Sequence, residues 1–210
     1  MALRSCLSSR CTPRIDPPAS IYASYTPNID EAPILQTSIA AHVAVDRTIF
    51  LQHLTTALQS VTTPRFYETE RGFQGELLVA LRRTLPQDFL PARAIIEQEY
   101  QKLLRSHGLA IRPDIIIHEP FDSSRHHSPD EGNLAVMELK RAATAKSAAA
   151  DIESFVQMIE ILRYPLAVFI NIASVDSHAD VVPTGWRDRI ACFAVSLRDG
   201  KAHVIQSETL

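Results

Sequence analysis

Apolar residues recur every three or four positions in two early stretches of the chain, and as alternating or unbroken runs in several later ones. From Asp46, a residue type suited to a helix N-cap, Phe50, Leu51, Leu54, Leu58 and Val61 fall on one helical face until Thr62-Thr63-Pro64 stops the pattern. A second helix is predicted from about Glu70 to Leu85, where Phe73, Leu77, Leu81 and Leu85 step by four and Pro86 ends the run. "LAIRPDIIIHEP" (109–120) and "NLAVMELKR" (133–141) have strand character, and the polar stretch "FDSSRHHSPDEG" between them suggests an antiparallel pair. "TAKSAAADIESFVQMIEILR" places Ile152, Phe155, Val156, Ile159 and Leu162 on one helical face. "LAVFINIA" then reads as a strand covered on both faces, and "IACFAVSLRDGKAHVIQSE" as a hairpin around Asp199-Gly200. Residues 94–102 are locally ambiguous. Ile95, Ile96, Tyr100, Leu103 and Leu104 suit a helix ended by Gly108, while the β-branched start suits a strand.

Residues 1–37, rich in Pro, Ser and Thr and without periodicity, are expected to form a loosely ordered arm, and 38–210 a single α/β domain. Of 210 residues 46% are hydrophobic, ample for a core, and a net charge of −3 supplies no general field for nucleic acid. Any polyanion site must therefore be local. Three cysteines form neither a disulfide framework nor a zinc spacing, which points to a reducing, intracellular (cytoplasmic) setting. No apolar run reaches the roughly 18 residues of a membrane span. The Arg- and Ser-rich start faintly resembles a transit peptide, with a disordered leader as the simpler reading.

The chemistry concentrates at the end of "NLAVMELKR". Strand alternation puts Leu134, Val136, Glu138 and Lys140 on one face, so an acid and a base leave an apolar strand together. The same alternation puts Asp114, Ile116 and His118 on one face of the preceding strand. If the two strands are neighbours, Asp114 and Glu138 face each other across about 5 Å, with Lys140 next along. Two carboxylates that close repel unless positive charge lies between them, and an all-oxygen ligand set suits Mg²⁺ or Mn²⁺ better than zinc. An acid two residues before a lysine is a weak signal alone. Asp199-Gly200-Lys201 has the same form and is explained by its turn.

Taken together, "RPD" at 112–114, "ELK" at 138–140 and the upstream helix segment "GELLVALRRTL" with Glu76 resemble the PD-(D/E)XK nuclease superfamily over about residues 66–173. The resemblance implies a restriction-endonuclease-like core of helix, three strands, helix and strand, here with an added N-terminal helix and a C-terminal β-hairpin. It requires residues 94 to about 102 to be strand. It further implies a Mg²⁺-dependent nuclease acting on DNA, with Asp114, Glu138 and the backbone carbonyl of Leu139 holding the metal and Glu76 completing the acidic group. Lys140 would orient the attacking water. In one subgroup a glutamine on the helix after the lysine motif joins the site. Gln157 has a suitable position, although residue 161 is isoleucine where that subgroup often has tyrosine. The alternative is a catalytically silent module of the same fold that binds DNA or a protein partner. A homodimer or a place in a larger nuclease assembly stays open, since no segment declares an interface.

Other chemistry-bearing residues have simpler readings. His126, His127 and Asp130 suit a polar hairpin loop, and His118 a capped strand end. Arg82, Arg83, Arg105, Arg112 and Arg141 are candidate phosphate contacts if the fold gathers them around the acids. Neither a phosphate-cradling loop ending in Lys-Ser or Lys-Thr nor a Gly-x-Ser-x-Gly elbow is present.

Overall fold

Four of the six strands in the computed structural model are bounded much as the hydrophobic pattern sets them, one is shorter than its pattern, and one is the ambiguous stretch. The structure describes residues 45–100 and 109–207, so the expected arm lies outside the described residues. The chain divides into two units, Met1–Ala40 and Ala41–Leu210, and every described residue belongs to the second.

The first helix, α1 (Arg47–Ser60), starts where the Asp46 side chain accepts a hydrogen bond from the Ile49 N–H. A 3₁₀ turn over Pro64–Glu68 leads into α2 (Glu70–Thr84), capped by the Thr69 hydroxyl, which accepts from the Gly72 N–H. Four strands follow with one helix among them: β1 (Ile95–Gln98), β2 (Ile115–His118), β3 (Asn133–Arg141), α3 (Ala145–Leu162) and β4 (Leu166–Ile172). Residues 95–98 are strand, so pairing with β2 overrides the helical spacing there, while 101–108 lie outside the described residues. The expected strand over 109–120 is shorter than its pattern: only Ile115–His118 is strand. The chain ends in the hairpin β5 (Ile190–Arg198) and β6 (Lys201–Gln206), turned by Asp199 and Gly200, both at positive φ.

These strands form one six-stranded mixed sheet in chain order, β1 to β6. Pairs β1–β2, β2–β3 and β5–β6 are antiparallel, and β3–β4 and β4–β5 are parallel. The parallel β3–β4 pair needs a crossover, which α3 supplies. Alternation sorts the sheet into two apolar faces. Ile115, Ile117, Met137, Leu139, Val168 and Ile170 pack with α1 and α2. Ile116, Val136, Ala167 and Phe169 pack with Ile152, Phe155, Met158 and Ile159 of α3. With helices on both faces, β4 is buried at all seven positions, as its unbroken apolar run requires. Leu134 departs from expectation and joins the α1/α2 cluster, beside the point where the β2–β3 ladder shifts register between Ile117 and His118.

Among the described residues no helix is long and apolar enough to cross a membrane.

Candidate functional site

Register is what brings the acids together. β2 and β3 pair Ile116 with Val136 and Ile115 with Met137, so one further step sets Asp114 opposite Glu138. The Asp114 carboxyl lies beside that of Glu138, and its Oδ2 accepts from the Leu139 N–H at 2.8 Å. The Leu139 side chain is buried in the α1/α2 core, so its contribution to the site is its peptide group. The Asp114 carbonyl is fixed from two sides, accepting from Gln74 Nε2 at 2.6 Å and from the Glu99 N–H at 2.9 Å.

Glu138 is 9% exposed and its environment is hostile to a charge. Burial first, and then the Asp114 carboxyl beside it, push its pKa up to about 9 against an ordinary 4.5. Glu138 in this environment therefore keeps its proton at neutral pH. Lys140, next on this face, points to α3, where its Nζ lies 3.9 Å from Asp151 Oδ2. Burial works to lower the Lys140 pKa, but Asp151, Glu138, Glu70 and Asp114 together more than offset it and hold the ammonium above its ordinary value. Asp151 is itself raised by burial, with Lys140 opposing the shift.

Glu70 enters from the first turn of α2, where its Oε1 accepts from the Arg141 N–H at 2.9 Å. The exit of β3 is thereby pinned between α2 on one side and α3 on the other. Two residues past it, Ala143 is held by Asn171 of β4, which is fully buried. Asn171 Oδ1 accepts from the Ala143 N–H at 2.8 Å and its Nδ2 donates to the Asp176 carbonyl at 2.7 Å. Thr144 and Ser147 then form a reciprocal capping box that starts α3 and sets Asp151 two turns in.

Of the residues expected to meet, the structure unites Asp114, Glu138, Lys140 and the Leu139 peptide. It does not unite Glu76 or Gln157 with them. Glu76 is half-buried on α2, about 120° round and about 9 Å along from Glu70. No hydrogen bond or ion pair among the described residues ties it to the acids. Gln157 is exposed on α3, offset from Asp151 by the same angle and rise. Their places at the cluster are taken by Glu70 and Asp151, which periodicity had left unmarked. His118 turns to Glu97 (Nε2 to Oε2, 2.7 Å) at the far end of β2 from Asp114, and His126 bonds within its loop, its Nδ1 accepting from the Asp122 N–H at 3.0 Å. Arg82 donates to the Ile96 carbonyl and Arg141 Nε to the Tyr67 carbonyl, while Arg105 lies outside the described residues.

The donor set suits a hard divalent cation. The carboxyls of Asp114 and Glu138 adjoin in a largely buried setting, while Asp151 Oδ2, buried and without a hydrogen bond, has the Lys140 ammonium 3.9 Å away. Asp114, Glu138 and Asp151 do not all bring an oxygen within 4.8 Å of one another; among the described residues the one group of three that does is Asp176, His178 and Asp180. That group is engaged as a clasp on the entry to α3. His178 Nε2 bonds the Ala143 carbonyl at 2.8 Å, its Nδ1 lies 3.3 Å from Asp176 Oδ2, and its N–H donates to Asp176 Oδ1.

Comparison of the chain with family models, curated proteins and solved structures finds no match.

Proposed function

We propose that the chain is a Mg²⁺-dependent nuclease that hydrolyses phosphodiester bonds in DNA, with Mn²⁺ as a substitute ion. The observation that carries this reading is the meeting of Asp114 and Glu138 across β2 and β3, with Lys140 next on the same face. The element order α2, β1, β2, β3, α3, β4 supports it, since helix, three strands, helix and strand is the core that the resemblance to the PD-(D/E)XK superfamily implies.

Asp114 and Glu138 would hold the ion, with the Leu139 carbonyl as a further oxygen ligand. Bound there, a divalent cation would lower the pKa of a coordinated water and offset charge on a phosphoryl oxygen. The chain's own groups do the rest. Lys140 is held as an ammonium by the surrounding acids, so it acts as a hydrogen-bond donor and positive charge toward the attacking water and the phosphoryl oxygens, not as a proton acceptor. Asp151 positions that ammonium, and the Leu139 N–H fixes the rotamer of Asp114. Gln74 steadies the site from below through the Asp114 carbonyl.

The test is incubation of the purified full chain with linear, circular and single-stranded DNA in Mg²⁺, Mn²⁺ or EDTA. Cleavage in Mg²⁺ and Mn²⁺ that EDTA abolishes is the expected result. DNA binding without cleavage under every condition would leave the fold as a silent binding module.

A further inference from the structure

Two exposed guanidinium groups stand beside the acid cluster with one carboxylate between them. Arg71, next to Glu70 in the first turn of α2, donates from Nη2 to Glu99 Oε1 at 2.5 Å. Arg112, two residues before Asp114, brings Nη1 to 3.7 Å from Glu99 Oε2. Glu99 follows β1 with φ of 50°, a left-handed turn that ends the strand, and its N–H donates to the Asp114 carbonyl. Glu99 is thus tied through its backbone to Asp114, and its carboxylate joins Arg71 of α2 to Arg112.

We infer that Arg71 and Arg112 form a binding site for the phosphodiester backbone flanking the cleaved bond, and that Glu99 occupies this site until phosphate displaces it. The inference rests on the nuclease reading of the neighbouring acids. Accessibility supports it: the arginine side chains are 80% and 58% exposed, whereas Glu99 is 29% exposed. Charge supports it too. Glu70, Asp114 and Asp151 outnumber Lys140 even with Glu138 protonated, so a strand drawn there needs positive charge on the approach. The chain's net charge of −3 supplies none globally. A guanidinium pair offers several N–H donors for phosphate oxygens, and a dianionic stretch of backbone outcompetes a single carboxylate that is open to water on one side. Glu99 costs some affinity but keeps both arginines in place, and the site sheds weak single anions.

The experiment is fluorescence anisotropy of the full chain with a labelled DNA duplex in Ca²⁺, across a salt series, with cleavage in Mg²⁺ measured in parallel. Arg71→Ala/Arg112→Ala should weaken binding about tenfold or more at low salt and reduce the slope of log K against log salt by about 2. Glu99→Gln should tighten binding several-fold. That variant is nearly isosteric and guards against loss of fold in the double substitution. Both effects together uphold the site. If the wild type cleaves but the double variant binds with unchanged affinity and slope, the arginine site is overturned and the nuclease reading stands. If the wild type neither binds nor cleaves, both fall.

Discussion

Lys140 of β3 reaches Asp151 of α3 with Nζ to Oδ2 at 3.9 Å, tying the strand to the crossover helix that follows it. Lys140→Ala should keep the fold and lose cleavage by roughly 10²-fold or more, the scale of one lost charge-stabilising donor. Asp151→Asn should also cut the turnover rate, since the ammonium is no longer held, while the Mg²⁺ concentration for half-maximal activity changes little. Glu76→Gln and Gln157→Ala should stay within about twofold of the wild type, roughly the effect of changes away from reacting groups. Single-turnover rates against Mg²⁺ for the four variants check this. A Gln157 variant as damaged as Asp151→Asn would put the site on the wrong part of α3.

Asn171 links the site to the sheet without touching the acids. Its buried amide satisfies the Ala143 N–H and the Asp176 carbonyl at once, so Asn171→Ala strands two polar backbone groups and opens a small cavity. A loss of about 2–4 kcal/mol is expected by urea denaturation. Activity per folded molecule should fall as well, because the entry to α3 sets where Asp151 lies.

Much of this was legible in the sequence because one face of each element is buried. The period-2 alternation of "NLAVMELKR" places Glu138 and Lys140 together whatever the rest of the chain does, and the polar loop before it makes the antiparallel partner Asp114 available. Missing were the helix contributions, yet a signal for them existed. Glu70 and Gln74 continue the Leu77, Leu81 stripe of α2 at spacings of four and three, and Asp151 sits on the Ala148, Phe155, Met158 stripe of α3. A polar residue at the end of a buried stripe marks where a helix leaves the core and meets something charged. Glu76, chosen by its place in a motif, lies off that stripe. The strand at 95–98 had a divided local signal, a β-branched start against helical spacing, and pairing with β2 decides it.

Two glycines should respond oppositely to alanine. A Cβ on Gly132 would lie 2.2 Å from the Glu119 carbonyl oxygen, where the β2–β3 connection closes through the Glu119 N–H and the Gly132 carbonyl. Gly132→Ala therefore forces backbone apart and should destabilise by about 2–4 kcal/mol. Gly75, inside α2, has nothing within 4 Å of its added Cβ. Gly75→Ala should stabilise by up to about 1 kcal/mol through helix propensity. Thermal denaturation of the two variants decides it, and a neutral Gly132→Ala would mean that the connection closes more loosely.

The raised pKa of Glu138 gives the metal-free protein an unusual pH dependence. The unfolded chain releases this proton near 4.5 and the folded chain keeps it to about 9. Stability from the protonated carboxyl is therefore complete below about pH 4.5 and is lost as pH climbs toward 9, the reverse of an ordinary ion-paired acid. In EDTA the wild-type Tm should fall between pH 6 and 9, while Glu138→Gln, which cannot ionise, should be flatter over that window and more stable than the wild type at pH 8. Added Mg²⁺ should restore the wild type at pH 8, with release of up to about one proton per chain as the ion replaces the Glu138 proton. It should leave Glu138→Gln nearly unchanged. Parallel Tm curves for the two proteins in EDTA would show that Glu138 is ionised in the empty site, and would remove the proton-for-metal exchange from the account.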